Sequence, residues 1–154
     1  LRAVIPTIIS QIAGGNSTIR LGDLSPTRDF NFVSDTCAAF LALSKCDSAL
    51  GQIVNVASNF EISIGQTASL IAEVMQADIQ IETDEDRLRP KRSEVNRLFG
   101  ENRKLRELTG WQPAFAGLDG FRRGLKFTAK WFIAPNNLIH YHPDSSRHEY
   151  SSFR

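Results

Sequence analysis

Two stretches of the sequence place arginines where they can bind an anion. The first, residues 28–35 (RDFNFVSD), puts Arg28 at the entrance of a short alternating strand that includes Phe30, Phe32 and Val33. The only carboxylate beside this cation is its neighbour Asp29, so Arg28 is available to an anionic ligand. We predict that it binds a diphosphate.

The second stretch, residues 87–95 (RLRPKRSEV), holds four cations in its first six residues, and the carboxylate of Glu94 follows them. Arg89 stands beside a proline in a loop, and its planar guanidinium can donate two parallel hydrogen bonds to a phosphate. Glu94 could accept hydrogen bonds from ribose hydroxyls, as acidic residues do in nucleotide sites. On residue types alone, a solvated surface loop is the more common role for such a run.

Length and composition indicate a folded chain without a dedicated nucleic-acid surface. The 154 residues are the size of one domain, and 42% hydrophobic content is enough for a sizeable core. The net charge is +1, from 18 basic and 17 acidic residues, whereas nucleic-acid-binding domains usually show a strong basic excess. The apolar runs are short and interrupted, so no membrane span is expected.

Metal sites, disulfides and cofactor motifs are not expected. Cys37 and Cys46 are nine residues apart, which favours buried or half-buried thiols in a reducing, cytoplasmic compartment. His140, His142 and His148 lie in a polar tail without a cysteine nearby, so we interpret them as solvated. The sequence contains no glycine-rich dinucleotide or phosphate loop and no nucleophile elbow.

Apolar periodicity and turn residues predict an α/β arrangement that would position these arginines. Strands are predicted at 17–21, at 28–33, at 52–56 as a buried strand, and at 78–82; helices are predicted at 3–13, 35–46, 63–75, 101–108 and 118–132. Asp35 is interpreted only as the cap of its helix. We expect residues 1–134 to form one region and residues 135–154 a polar, weakly ordered tail. The opening Leu1-Arg2, without an initiator methionine, suggests a fragment or a processed product.

Seven motifs occur in a recognisable order. They are Ile-Pro at 5–6, Leu-Gly-Asp at 21–23, Arg-Asp-Phe-x-Phe-Val-x-Asp at 28–35, Val-Asn-Val-Ala-Ser at 54–58, Glu-Ile-Ser-Ile at 61–64, Arg-Pro-x-x-Ser-Glu-Val at 89–95 and Lys-x-x-x-Leu-x-Gly-Trp-x-Pro at 104–113. Together, over residues 1 to about 135, they resemble the carboxy-terminal half of the extended short-chain dehydrogenase/reductase family, the NAD-dependent sugar-nucleotide epimerases and dehydratases. The motif at 89–95 is most similar to the nucleotide-sugar 4,6-dehydratases of the UDP-N-acetylglucosamine or GDP-mannose kind.

The resemblance implies a role for seven positions in binding a nucleoside-diphosphate sugar. Arg28 and Arg89 match the two arginines that contact the diphosphate, and Glu94 matches the acidic residue near the ribose. Asn55 falls where an asparagine closes the site, although a structural role at a strand end is equally open. The family lines its base pocket at the positions of Val4, Ile19 and Leu21.

The family pattern also implies what this sequence lacks. The glycine-rich turn, the catalytic Ser/Thr and the Tyr-x-x-x-Lys pair belong to the amino-terminal half, and neither Tyr141 nor Tyr150 is followed by a lysine at the fourth place. The resemblance therefore implies a partial Rossmann-type fold: a substrate-binding subdomain without its dinucleotide-binding half. No catalytic residue, bound cofactor or activity is expected in this chain alone, whereas the intact enzyme would use NAD or NADP and form a homodimer.

Two other functions stay open from the sequence. One is a stand-alone module that binds nucleotide sugars or phosphates without catalysis. The other, less favoured, is a structural or nucleic-acid-interacting protein that uses the basic loop from Arg87 to Arg92.

Overall fold

The computed structural model describes residues 3–88 and 95–138. The helices are α1 (Val4–Ala13), α2 (Val33–Leu43), α3 (Ile64–Met75), α4 (Arg103–Thr109), α5 (Gly117–Ile133) and α6 (Pro135–Leu138). The strands are β1 (Thr18–Leu21), β2 (Thr27–Asp29), β3 (Glu61–Ser63), β4 (Gln80–Thr83) and β5 (Arg97–Leu98). Single 3₁₀ turns occur at Asp47–Ala49 and Glu85–Arg87. The α/β class predicted from the sequence is confirmed.

The chain divides into two compact units, each made of separate stretches of sequence. The first unit takes the described parts of Leu1–Ser25, Ile64–Glu94 and Leu125–Arg154, and the second takes Pro26–Ser63 and Val95–Gly124. The predicted boundary at residue 134 stays a prediction, because residues 139–154 lie outside the described part of the chain.

The first unit has an apolar interior. Strands β1 and β4 pair in parallel, from Thr18 opposite Gln80 to Leu21 opposite Thr83, and α1 packs against α3. Helix α3 begins directly after Ser63, as predicted, because apolar residues recur there at helical spacing. The fully buried isoleucines of this unit are Ile8, Ile9, Ile19 and Ile71.

The second unit contains a three-stranded sheet in the order β3-β2-β5, so β2 is the central strand. It pairs antiparallel with β3 and parallel with β5. A separate apolar cluster forms between α2 and α4 around Ala39, Leu105 and Trp111. Helix α4 ends at Gly110, whose left-handed backbone (φ 71°) favours glycine.

Two strand predictions in this unit were wrong. The run Gln52–Val56 does not form a strand, and Ile53 is 89% exposed, because none of the described strands pairs with it. The predicted strand at Arg28 ends at Asp29, so Val33 is the first residue of α2 instead. The rings of Phe30 and Phe32 pack on Phe121 and Phe115 respectively.

Candidate functional site

Arg28 occupies the middle of the central strand β2, opposite Ile62 on one side and Leu98 on the other. It therefore sits within the sheet rather than at the strand entrance that the sequence predicted. Arg28 is half-buried, and its Nη1 donates to the carbonyl oxygens of Thr27 and Val95, both at 2.8 Å. A guanidinium held in a defined place by two backbone carbonyls is suited to an anion.

The next residue, Asp29, directs its carboxylate to other partners. Oδ1 accepts from the amide of Ser58 at 3.0 Å and its hydroxyl at 2.6 Å, while Oδ2 accepts from the amides of Asn59 at 3.0 Å and Gly100 at 3.4 Å. These bonds join two loops that are distant in sequence. Successive side chains of a strand point in opposite directions, so the Asp29 carboxylate binds the two loops and does not pair with Arg28.

The strands beside Arg28 are joined by an ion pair. Arg97 on β5 donates from Nε and Nη2 to the carboxylate of Glu61 on β3, with a shortest distance of 2.7 Å, and Thr27 Oγ1 donates to the same carboxylate at 3.0 Å. The hydrogen bonds from Arg97 hold the pKa of Glu61 below its ordinary value, and Glu61 raises the pKa of Arg97. Both outer strands are thus tied across the strand that carries Arg28.

Asp35 is a buried anchor and not a helix cap, so that prediction was wrong. Helix α2 begins at Val33 with Phe32 in the capping position, which makes Asp35 its third residue. Its carboxylate accepts from the amides of Ala114 at 3.1 Å and Phe115 at 2.9 Å. A buried carboxylate needs such donors, and these two fix the loop that precedes α5.

The other residues predicted to bind the substrate are distributed over both units. Val4 begins α1 and is half-buried, while Ile19 and Leu21 point into the interior from β1 with exposures of 0% and 3%. All three belong to the first unit. Asn55 belongs to the second unit, is exposed, and follows no strand.

Some predicted residues lie outside the described part of the chain. They are Arg89 and Glu94, the tail histidines His140, His142 and His148, and the two tyrosines Tyr141 and Tyr150. Val95, the first described residue after the Arg89–Glu94 run, accepts a hydrogen bond from Arg28.

Cysteine and metal chemistry can be assessed for residues 3–88 and 95–138. Within them, no group of His, Cys, Asp and Glu residues could hold a metal ion. Both cysteines are free thiols; Cys46 is half-buried as predicted, but Cys37 is exposed on α2, so its predicted burial was wrong. No helix in the same residues is long and apolar enough to cross a membrane.

Sequence reasoning missed a shallow depression in the second unit, of about 250 Å³, beside the loop that Asp29 holds. Asn59, Arg106 and Gln112 contribute polar groups to its lining. Asn59 has a left-handed backbone (φ 60°), which asparagine tolerates better than most residues. The spacing of these residues gives no signal of the depression, because their contributing loops are brought together only by the fold.

Comparison with known proteins decides the family. The family described as GDP-mannose 4,6 dehydratase matches residues 1–123. The chain belongs to this family. The resemblance to the nucleotide-sugar dehydratases and epimerases is therefore confirmed.

Two curated relatives illustrate how this family member relates to longer enzymes. The GDP-6-deoxy-D-mannose reductase of Pseudomonas aeruginosa is 35% identical over 95 residues, covering 62% of this chain and 30% of the relative. The UDP-glucose 4-epimerase of Mycolicibacterium smegmatis is 30% identical over 125 residues, covering 80% of this chain and 38% of the relative. The chain thus spans only 30% to 38% of the length of these relatives.

Solved structures show the same partial coverage of a Rossmann-type fold. An epimerase from Methanothermobacter thermautotrophicus superposes with a TM-score of 0.76 at 27% identity, over 90% of this chain and 39% of that one. The UDP-N-acetylglucosamine 4-epimerase of Methanobrevibacter ruminantium, in complex with UDP-N-acetylmuramic acid, gives 0.72 at 29% identity, over 85% and 39%. The P. aeruginosa protein RMD, complexed with NADPH, gives 0.69 at 26% identity, over 83% and 42%.

Proposed function

We propose that this chain is the substrate-binding part of an NAD(P)-dependent nucleotide-sugar 4,6-dehydratase or epimerase, in which it holds the diphosphate and nucleoside of the substrate. The observation that carries the proposal is the setting of Arg28. This half-buried residue of the central strand has its guanidinium anchored by two carbonyls, while the neighbouring carboxylate of Asp29 accepts from four donors.

An anchored arginine suits the binding of a diphosphate for a physical reason. Ordering a long side chain on binding costs conformational entropy, about 0.5–1.5 kcal/mol for a rotamer-rich residue. The bonds from Arg28 to Thr27 and Val95 meet part of that cost before a ligand arrives. The Arg97–Glu61 pair supports the strand from both sides.

Two further residues complete the proposed site. Arg89 is the second residue that binds the diphosphate, and Glu94 contacts the ribose. Support comes from the Val95 carbonyl, which is held by Arg28 where the described chain resumes after that run. The nucleoside base is proposed to lie near Val4 and β1. Since Ile19 and Leu21 are buried, contacts from β1 to a base would use its backbone. Asn55 is proposed to close the site.

The family implies a nicotinamide dinucleotide, and the described residues do not fit one. A dinucleotide is held at a glycine-rich turn between a strand and a helix. Two described strands lead through a loop into a helix: residues 30–32 between β2 and α2 contain no glycine, and residues 99–102 between β5 and α4 contain only Gly100. Of the others, β1 leads into the loop before β2, β4 leads into a 3₁₀ turn, and β3 passes into α3 without a loop. We therefore assign cofactor binding and hydride transfer to a separate amino-terminal dinucleotide-binding domain, and expect no catalysis by this chain alone. Homodimer formation is proposed only for the enzyme that contains both parts.

Calorimetric titration with GDP-mannose and UDP-glucose tests this function. The chain is measured alone and after assembly with the dinucleotide-binding part of the P. aeruginosa reductase. Arg28→Ala should weaken substrate binding by about 1.5–3 kcal/mol, the contribution of a hydrogen bond to a charged group. Arg103→Ala, which removes an exposed arginine on α4, serves as the control for loss of one positive charge.

The outcomes separate the proposal from its alternatives. Binding only by the assembled enzyme supports the proposed role, whereas full-strength binding by the chain alone indicates a stand-alone binding module. Equal affinity of wild type and Arg28→Ala in both settings would show that the arginine assignment is wrong.

A further inference from the structure

The depression beside the loop that Asp29 holds has the dimensions of a small binding site. Its volume of about 250 Å³ is just below the roughly 300–1,000 Å³ of sites for drug-sized ligands. All of its described lining residues belong to the second unit. None of them is among the residues proposed to hold the nucleotide sugar, so the depression is a separate candidate site.

Hydrogen bonds within the second unit fix the walls of this depression. The carboxylate of Asp29 accepts from the amide and hydroxyl of Ser58 and from the amide of Asn59, at 2.6 to 3.0 Å. The buried side chain of Asn102 donates to the carbonyl of Ala57 at 2.9 Å. Because these walls are already held, a ligand that binds here does not have to order them, which lowers the entropic cost of binding.

Three polar side chains of the lining are not used by these bonds. They are the carboxamides of Asn59 and Gln112 and the guanidinium of Arg106, and none of them forms a hydrogen bond or ion pair with a described residue. The described lining residues include no carboxylate. A few polar groups that converge on one depression are the pattern of a ligand site, and Arg106 gives this one a positive charge.

The chemistry of these groups selects a ligand that carries both an anion and hydroxyl groups. A guanidinium only donates hydrogen bonds, and its planar fork matches the oxygens of a phosphate. Each carboxamide offers donors and an acceptor, which matches a hydroxyl group because a hydroxyl also donates and accepts. Phe60 and Pro113 add apolar surface on which a sugar ring can pack. The volume suits one such ring with its phosphate better than a whole nucleotide sugar.

We propose that this depression binds a phosphorylated monosaccharide, with Arg106 on the phosphate and Asn59 and Gln112 on the sugar hydroxyls. The proposal goes beyond the proposed function and does not depend on it, because the site does not use Arg28. The left-handed backbone of Asn59 (φ 60°) agrees with this role, since such conformations of non-glycine residues concentrate at ligand sites.

Titration of the isotopically labelled chain, followed by the NMR shifts of its amides, tests the site. The probes are glucose 1-phosphate and mannose 6-phosphate, with glucose and inorganic phosphate as separate arms. At least one sugar phosphate should shift the side-chain amides of Asn59 and Gln112 and bind about tenfold or more tightly than glucose or phosphate alone. Equal affinity for inorganic phosphate and both sugar phosphates would overturn the assignment to a sugar, and unshifted amides would overturn the site.

Two substitutions remove the proposed contacts at positions where the fold tolerates them. Arg106→Ala, at an exposed position, should weaken sugar-phosphate binding about tenfold or more. Asn59→Gly removes a carboxamide but keeps a residue that favours the left-handed backbone, and it should weaken binding about threefold or more. Arg103→Ala is the matched control, because Arg103 is an exposed arginine of the same helix that does not line the depression.

The pattern over the variants decides the outcome, and circular dichroism checks that each keeps its fold. Sugar-phosphate binding that is unchanged in Arg106→Ala, or weakened equally in Arg103→Ala, would overturn the proposal. Arg28→Ala should keep sugar-phosphate binding, although it should weaken nucleotide-sugar binding by the assembled enzyme. Loss of sugar-phosphate binding in Arg28→Ala instead would place this ligand at Arg28, so failure of this site can be distinguished from failure of the proposed function.

Discussion

The first unit has a core of fully buried isoleucines, whereas the second combines an apolar cluster with two carboxylates that bind backbone amides. Ile8, Ile9, Ile19 and Ile71 are no more than 1% exposed in the first unit. In the second, Asp29 and Asp35 gather backbone amides from segments up to 80 residues away. The difference shows that the second unit fixes its loops partly with directed hydrogen bonds to carboxylates, in addition to apolar contacts.

The largest expected effect comes from breaking the apolar unit. Ile71→Ala should lower the free energy of unfolding by about 2–5 kcal/mol, because it removes buried methyl groups and leaves a cavity. Chemical denaturation measures this loss, and Ile71→Val should cost only about 0.5–1.5 kcal/mol. Similar losses of unfolding free energy for the two variants would mean that the side chain of Ile71 is not tightly packed.

A somewhat smaller effect is expected from removing the buried carboxylate of the second unit. Asp35→Ala should lower the free energy of unfolding by about 1.5–3 kcal/mol, since the Ala114 and Phe115 amides lose a charged acceptor. Asp35→Asn keeps one acceptor oxygen and should lie between wild type and alanine. If Asp35 were only a helix cap, hydrogen exchange at Ala114 and Phe115 would be the same in all three proteins; we expect it to be faster in the alanine variant.

The sequence predicts the first unit better than the second, because apolar spacing is local whereas the carboxylates of the second unit bind distant segments. Helices α1, α3 and α5 follow from apolar spacing, which is local and visible along the chain. The partners of Asp35 lie 79 and 80 residues later, so its type and position alone suggested a cap. Gln52–Val56 was predicted to be a buried strand from its β-branched residues, but a strand also requires a neighbour, which the described chain does not contain.

The candidate site was predicted only in outline. An arginine beside a turn, without a free carboxylate, was enough to select Arg28. Its place in the central strand depends on β5, a strand of two residues with no pattern of its own. The depression near Asn59 likewise depends on loops that meet only after folding.

The smallest effect concerns pH. The hydrogen bonds from Arg97 lower the pKa of Glu61 from its usual 4.5. A carboxyl group whose pKa is lower in the folded state stabilises the fold above its unfolded pKa, and this contribution is lost as pH falls through the folded value. Wild type should therefore be more stable than Glu61→Gln at neutral pH, and the difference should shrink below pH 4.5. Thermal denaturation of both proteins across acidic pH measures this difference. A stability difference that does not change with pH would show that the Arg97–Glu61 pair does not stabilise the fold.

The central claim, that Arg28 binds the diphosphate, is tested most directly by varying protein and ligand together. Calorimetry on the assembled enzyme compares wild type and Arg28→Ala with a nucleoside-diphosphate sugar and with the corresponding nucleoside monophosphate. The account predicts a loss of about 1.5–3 kcal/mol for the diphosphate sugar and a clearly smaller loss for the monophosphate. Equal losses for both ligands, or none for either, would contradict it.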